Sequence, residues 1–217
     1  MWDFNRNSEE TLYQLYDAYR LRDYGRFSRE EFAGKFREVN KRLWELYDHD
    51  AIDKLKLRED RFRMIFDELK FSHHGIADQV GNDYLRICPE KIHLIPHAIE
   101  VLDYLHEKYD LYILTNGFSE TQYKKVVFSR LGKYFKKLIT SEEAGHKKPH
   151  PEIFEYALRV MGAGSDECIM VGDNIETDIR GALGAGMDII FFNPDRIRHT
   201  EKVTSEITSL QELKGLL

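Results

Sequence analysis

An α/β fold behind an all-helical first third is what this sequence predicts, and three observations carry the reading. From about residue 90, short apolar runs at residues 111–114, 138–140, 168–171 and 188–192 alternate with helical stretches that start near His97, Ser119, Pro151 and Ile175. Such alternation implies a doubly wound parallel sheet with helices on both faces. Before residue 90 the apolar residues recur at helical spacing. The predicted strands also end in polar, turn-forming residues, at the carboxyl edge where sheets of this kind hold ligands.

The helices of the first third follow from their apolar faces. Leu12, Leu15, Tyr16 and Tyr19 share one face, as do Phe32, Phe36, Val39, Leu43 and Leu46, and then Phe62, Ile65, Phe66 and Leu69. The second of these has a defined start. Ser28 and Glu31 have the spacing of a capping box, and Phe27 and Phe32 that of a hydrophobic staple. The aromatic residues on these faces read as helix-packing core. Trp44, Arg42 and Tyr47 are the candidates for a ligand-lining role in this part of the chain.

Composition narrows the function. The chain has 217 residues, 42% of them hydrophobic and 32% charged, as in ordinary globular proteins. Its formal net charge of −6 argues against nonspecific binding of a nucleic-acid polymer. A local cationic site for a small phosphorylated molecule remains compatible with that balance. Cys88 and Cys168 have neither the spacing of a metal site nor that of a redox pair, and Cys168, in an apolar run, is expected to be buried. No apolar stretch approaches the length of a membrane span and no signal core precedes the helices. The expectation is a cytoplasmic protein without a membrane partner.

Chemistry concentrates at three strand ends. The first reads Thr115-Asn116-Gly117, a hydroxyl followed by a Gly turn whose backbone N–H groups can hold phosphate oxygens. The second is Lys147-Lys148-Pro149-His150-Pro151, where Pro151 suits a first helical turn and a lysine ahead of it can meet a polyanion. The third is Gly172-Asp173-Asn174-Ile175-Glu176-Thr177-Asp178, with two carboxylates on one strand-to-helix turn. Oxygen ligands of this kind suit Mg²⁺, which keeps waters and binds substrate phosphate. Taken singly, each has an ordinary reading as a turn, a solvated lysine or a helix cap. Together, in this order, they resemble the second, third and fourth motifs of the haloacid dehalogenase superfamily. The stretch from Asp178 to Met187, Asp-Ile-Arg-Gly-Ala-Leu-Gly-Ala-Gly-Met, is similar to that family's next helix. The resemblance covers roughly residues 90–195.

This resemblance implies a Rossmann-like α/β core with an inserted helical cap. The expected boundaries are a loop remnant at 1–6, a cap at 7–88 and the core at 89–217. The family's first motif, D-x-D-x-T, supplies a nucleophilic Asp and an acid/base Asp, and it is not found. Asp48-His49-Asp50 lies in a helical stretch with no strand before it and no Thr after it. Trp2-Asp3-Phe4 is similar to the end of the extended motif in a branch reading D-x-D-D-T-L-W-D-F, with Met1 at the Leu position. The expectation is therefore that the first core strand and the nucleophile are absent, that the chain as given is inactive, and that it is poorly soluble or only partly ordered.

For the remaining residues the resemblance implies definite roles. Thr115, Asn116, Gly117 and Lys148 would bind the phosphoryl group, Lys148 would neutralise charge, and Asp173 and Asp178 would serve the Mg²⁺ site, with Asp178 supporting the metal or orienting Lys148. Thr115-Asn116-Gly117-Phe118-Ser119-Glu120 and Trp2-Asp3-Phe4 are similar to the noncanonical pyrimidine 5′-nucleotidases, so a nucleoside monophosphate is the expected substrate. Phosphoglycolate phosphatase, haloacid dehalogenase, or a non-catalytic protein that binds phosphate esters are the alternatives.

Overall fold

The computed structural model describes residues 1–71 and 74–217, which form two compact units: Trp2–His93, and Met1 with Leu94–Leu217. The Trp2–His93 unit is helical. It contains α1 (Phe4–Ala18), the short α2 (Leu21–Tyr24), α3 (Arg29–Asp48), α4 (Lys54–Glu68) and α5 (Ala77–Ile87). The capping box forms as the sequence predicts: Ser28 Oγ accepts from the Glu31 N–H at 3.1 Å and the Glu31 carboxylate accepts from the Ser28 N–H at 2.7 Å. The staple partners Phe27 and Phe32 lie 6.1 Å apart, centroid to centroid. Asp3 and Asp53 cap α1 and α4 by accepting from the N–H groups of Arg6 and Lys56. With the ends satisfied, the faces bury Phe32, Phe36, Phe62 and Phe66. Phe32 stacks on Phe66 at 5.8 Å. Leu46 departs from its predicted face and is exposed near the end of α3. Tyr47 is buried, Trp44 meets it edge-on at 5.5 Å, and Arg42 forms a surface ion pair with Glu68.

The second unit alternates strand and helix. In order it has α6 (Ala98–His106), β1 (Leu111–Thr115), α7 (Ser119–Phe128), β2 (Phe135–Thr140), α8 (Ser141–Ala144), α9 (Pro151–Met161), β3 (Ile169–Gly172), a π-helical turn (Ile175–Ile179), α10 (Arg180–Gly184), β4 (Asp188–Phe192), β5 (Ser205–Ile207) and α11 (Leu213–Leu216). All strand pairs are parallel, in two pieces: β1 with β2, and β3-β4-β5. Alternation along β4 shows the double winding. Ile189 and Phe191 pack with Ile153 and Phe154 of α9, whereas Ile190 packs with Val101 and Leu105 of α6 and Leu213 of α11.

β1 and β3 are less buried than the sequence suggests. Each bonds a strand on one side only among the described residues. Every residue of β1 is half-buried, and Ile169 and Val171 of β3 are 42% and 36% exposed. Cys168, just before β3, is likewise half-buried rather than buried. A strand flanked on one side leaves both its backbone edge and part of its side chains to solvent. β5 carries no strand signal in the sequence, being three residues of mostly polar character. No helix among the described residues is long and apolar enough to cross a membrane.

Candidate active site

The ends of β1 and β3 meet through one lysine. Lys148 lies in the turn before α9 and is 7% exposed. Its Nζ donates to the Leu114 carbonyl of β1 at 2.9 Å and to Asp178 Oδ1 at 2.5 Å. An ammonium has three donors, so one remains for a ligand. The backbone of Lys148 is held as firmly. Asn116 Nδ2 donates to the Lys148 carbonyl at 2.9 Å, and the Lys148 N–H donates to Asn116 Oδ1 at 2.7 Å. The Asn116 side chain thus acts as a two-bond clamp that ties the lysine loop to the end of β1. Sequence reasoning places Asn116 among the phosphate binders and misses this clamp, because the two residues are far apart along the chain.

Asp178 is 5% exposed and both its carboxylate oxygens are engaged. Oδ1 accepts from Lys148 and, at 3.4 Å, from the Thr177 hydroxyl. Oδ2 accepts from the N–H groups of Asp173 and Asn174, each at 3.2 Å. This back-turned carboxylate explains two local features. Gly172 has no side chain because a Cβ there would stand 2.4 Å from the Asp178 Cβ. The wider π-helical turn, with Ile179 N–H reaching the Asn174 carbonyl at 3.1 Å, gives Asp178 room to fold back toward the strand end. Asn174 caps the turn by accepting from Glu176 and Thr177.

Asp173 differs. Its side chain is open to solvent, yet its carboxyl is pushed above the ordinary value. The larger cause is the surrounding protein, which disfavours the anion, and the second is the like charge of Asp178. The chain's α-ammonium and Lys148 oppose this in part. A carboxylate that lacks a full counter-charge and remains accessible fits a divalent cation. Asp178, with its oxygens already engaged, fits a supporting role. No group of three or more His, Cys, Asp or Glu side chains suited to a metal gathers among the described residues, but Mg²⁺ commonly uses one or two carboxylates and completes its shell with water and phosphate.

Thr115 closes β1. Its Oγ1 accepts from the Gly117 N–H at 3.0 Å, which leaves the hydroxyl proton to be donated. The same bond takes up the Gly117 amide within the turn, so the hydroxyl rather than that amide is the donor this turn presents. Hydrogen bonds join Asn116, Lys148, Asp178 and the Asp173 N–H at one end of the sheet pieces, and Thr115 stands beside Asn116 where β1 ends. Leu114, whose carbonyl anchors the lysine, and Thr177 are members of the network that the sequence does not mark. Backbone carbonyls carry no residue-type signal, and Thr177 is one hydroxyl in a polar turn.

Comparison with known proteins agrees with this geometry. The family model for haloacid dehalogenase-like hydrolases matches residues 2–186, taking in the helical third that bears no motif. The chain is 33% identical over 194 residues to the pyrimidine 5′-nucleotidase YjjG of Escherichia coli, covering 88% of this chain and 84% of that protein. It is 28% identical over 219 residues to the pyrimidine 5′-nucleotidase PynA of Streptococcus pneumoniae, covering 99% and 90%. Among solved structures, the HAD-hydrolase YfnB of Bacillus subtilis bound to magnesium superposes with a TM-score of 0.87 at 27% identity, covering 99% of this chain and 92% of that one. A family match over most of the length, on a doubly wound core with the lysine and the two aspartates gathered at its strand ends, places this chain in the haloacid dehalogenase-like hydrolase family.

Proposed function

We propose that this chain belongs to a Mg²⁺-dependent phosphatase for pyrimidine nucleoside 5′-monophosphates, with residues 7–88 as its cap. The observation that carries the phosphatase reading is the Lys148 ammonium, held between the Leu114 carbonyl and Asp178 with one donor to spare. The substrate class is supported by the two nucleotidase relatives, one in E. coli and one in S. pneumoniae.

In such chemistry a carboxylate oxygen bonds to phosphorus while the bond from phosphorus to the leaving alcohol breaks. Water then hydrolyses the aspartyl phosphate and releases phosphate. The residues of this chain would serve the transferred group. The Thr115 hydroxyl would donate to one phosphoryl oxygen, and the spare donor of Lys148 would neutralise charge that builds in the transition state. Asp178 would keep the ammonium aimed, and Asn116 would hold the loop that carries it. Mg²⁺, held by Asp173, would supply positive charge to the phosphoryl oxygens.

The nucleophilic Asp of a D-x-D-x-T motif is not found in this sequence. We therefore expect no turnover from these residues alone. The test compares this chain with a form that carries a D-x-D-x-T strand ahead of Met1, both purified free of host phosphatases. The longer form is expected to hydrolyse UMP and dTMP with Mg²⁺ and to stop in EDTA, while the present chain binds UMP without turning it over. Equal turnover without divalent metal would remove the phosphatase reading. Preference for phosphoglycolate would change the substrate class, and hydrolysis of UMP by the present chain would remove the claim of inactivity.

A further inference from the structure

The two cations buried deepest in their respective units are treated differently. Lys148 meets a carboxylate, as a buried charge must if it is to offset its lost hydration. Arg61, on α4 of the helical unit, does not. It is 5% exposed, its Nε is buried without a hydrogen-bond acceptor, and no carboxylate pairs with it among the described residues. Its guanidinium lies 5.9 Å from the ring centroids of both Phe36 and Tyr84. Contacts at that distance are at the outer limit of cation–π attraction and offset only part of the cost. The Tyr84 hydroxyl is bonded to Ser8 Oγ at 2.8 Å, and no hydrogen bond joins it to Arg61 among the described residues. Arg58, one turn earlier on α4, adds charge of the same sign, and burial pulls the Arg61 guanidinium below its ordinary pKa.

A planar guanidinium with unmatched donors, set against two aromatic rings beside a second arginine, has the chemistry that recognises an oxyanion in two-point fashion. We propose that Arg61 is the centre of an oxyanion-binding site within the helical unit, taking the paired oxygens of a carboxylate or a phosphate. This goes beyond the phosphatase reading and does not depend on it.

The test uses the full chain with ¹⁵N-labelled arginine in a low-chloride buffer, the Arg61 Nε–Hε signal being assigned by its loss in Arg61→Lys. Sodium phosphate, sodium acetate and UMP are titrated separately. The expected result is a saturable shift of the Arg61 signal by at least one of the three. Phosphate alone, acetate alone or UMP alone then identifies the oxyanion as inorganic phosphate, a carboxylate or a nucleotide phosphate. An Arg61 signal that none of them moves overturns the proposal. As a second reading, Arg61→Met removes an uncompensated charge and is expected to raise the thermal midpoint in the absence of anion by at least ~2 °C. The same variant should lose the share of anion-dependent stabilisation that belongs to this site. Anion-dependent stabilisation identical in Arg61→Met and the parent, with an unmoved Arg61 signal, would assign anion binding wholly to Lys148 and Thr115. It would leave Arg61 as a packing residue and the catalytic reading intact.

Discussion

Phe32, Phe36, Phe62, Phe66 and Phe71 of the helical unit are each no more than 2% exposed, whereas in the α/β unit no residue of β1 is fully buried and Val171 of β3 is 36% exposed. The contrast follows from how the backbone is satisfied. A helix bonds its own N–H and C=O groups, so a bundle can close around aromatic side chains wherever the apolar faces meet. A strand depends on neighbours for its backbone bonds. Among the described residues β1 and β3 each have one, and their side chains are shielded accordingly. The helical unit is thus built from apolar packing, while the polar network of the α/β unit is concentrated where its packing is thinnest. That lets a buried lysine and an open aspartate stand close together, at some cost in stability.

Truncation offers the largest test of this contrast. Phe66→Ala should cost about 3–5 kcal/mol. Val171→Ala should cost under about 1.5 kcal/mol, because its side chain is only partly withdrawn from water. Urea unfolding followed by circular dichroism and by tryptophan fluorescence would measure both. Trp2 and Trp44 belong to the helical unit, so fluorescence reports that unit alone. The contrast predicts that circular dichroism shows an earlier transition which fluorescence does not. Coincident transitions would break it.

Next in size is the buried ion pair. Lys148→Met leaves Asp178 charged and buried and should destabilise the α/β unit by about 3–5 kcal/mol. Adding Asp178→Asn, which keeps an oxygen for the N–H groups of Asp173 and Asn174, should recover part of that loss while phosphate binding stays absent. A double variant as unstable as Lys148→Met would mean that the charge of Asp178 is not what the lysine offsets.

The Asn116 clamp comes third. Asn116→Ala removes two hydrogen bonds and should cost about 1–3 kcal/mol, with weakened phosphate binding because the lysine loop loses its tie to β1. Asn116→Asp keeps the acceptor for the Lys148 N–H but sets a carboxylate oxygen against the Lys148 carbonyl, so it should be no more stable than Asn116→Ala. Calorimetric titration with phosphate and thermal melting would rank the three. Full phosphate affinity in Asn116→Ala would separate the clamp from the site.

The smallest effects are those of pH, and they have opposite sign in the two units. Asp173 sits above its ordinary value of 3.8, so its charged form costs stability at neutral pH, and that cost fades as pH falls through the raised value. Asp173→Asn should therefore stabilise the metal-free chain at pH 7 and make no difference near pH 3.5. Glu10 of the helical unit is held below its ordinary 4.5 by hydrogen bonds with Lys91 and His93. Its stabilisation is present above that value and is lost as pH falls through the depressed one. Glu10→Gln should therefore destabilise slightly at pH 7 and become neutral in acid. Thermal melts of both variants in EDTA from pH 3.5 to 7 would show curves of opposite slope relative to the parent.

Much of the architecture is legible in the sequence because it depends on local pattern. The capping box at Ser28 and Glu31, the helix start at Pro151 and the four strands β1 to β4 all follow from residue type and period. So does the gathering of Thr115, Lys148, Asp173 and Asp178, since strand ends in a parallel sheet point to one edge. β5 is not legible, because Ser205-Glu206-Ile207 becomes a strand only by pairing with β4. The half-exposure of β1 and β3 is not legible either, since an apolar run shows its own character and not whether both of its edges are paired.

Covalent order alone carries the family, the helical and α/β composition of the chain, and the residue types available for phosphate chemistry. A motif, a cap or a period is complete within a few neighbouring positions. The bonding partners of those residues were settled later, by packing. Packing engaged both oxygens of Asp178 while leaving Asp173 accessible, and it made Asn116 a clamp on a lysine thirty-two positions away. It also left Arg61 buried beside two rings without a carboxylate among the described residues. Each of those outcomes depends on burial and on partners distant in the chain, and both are set by how the elements meet in space.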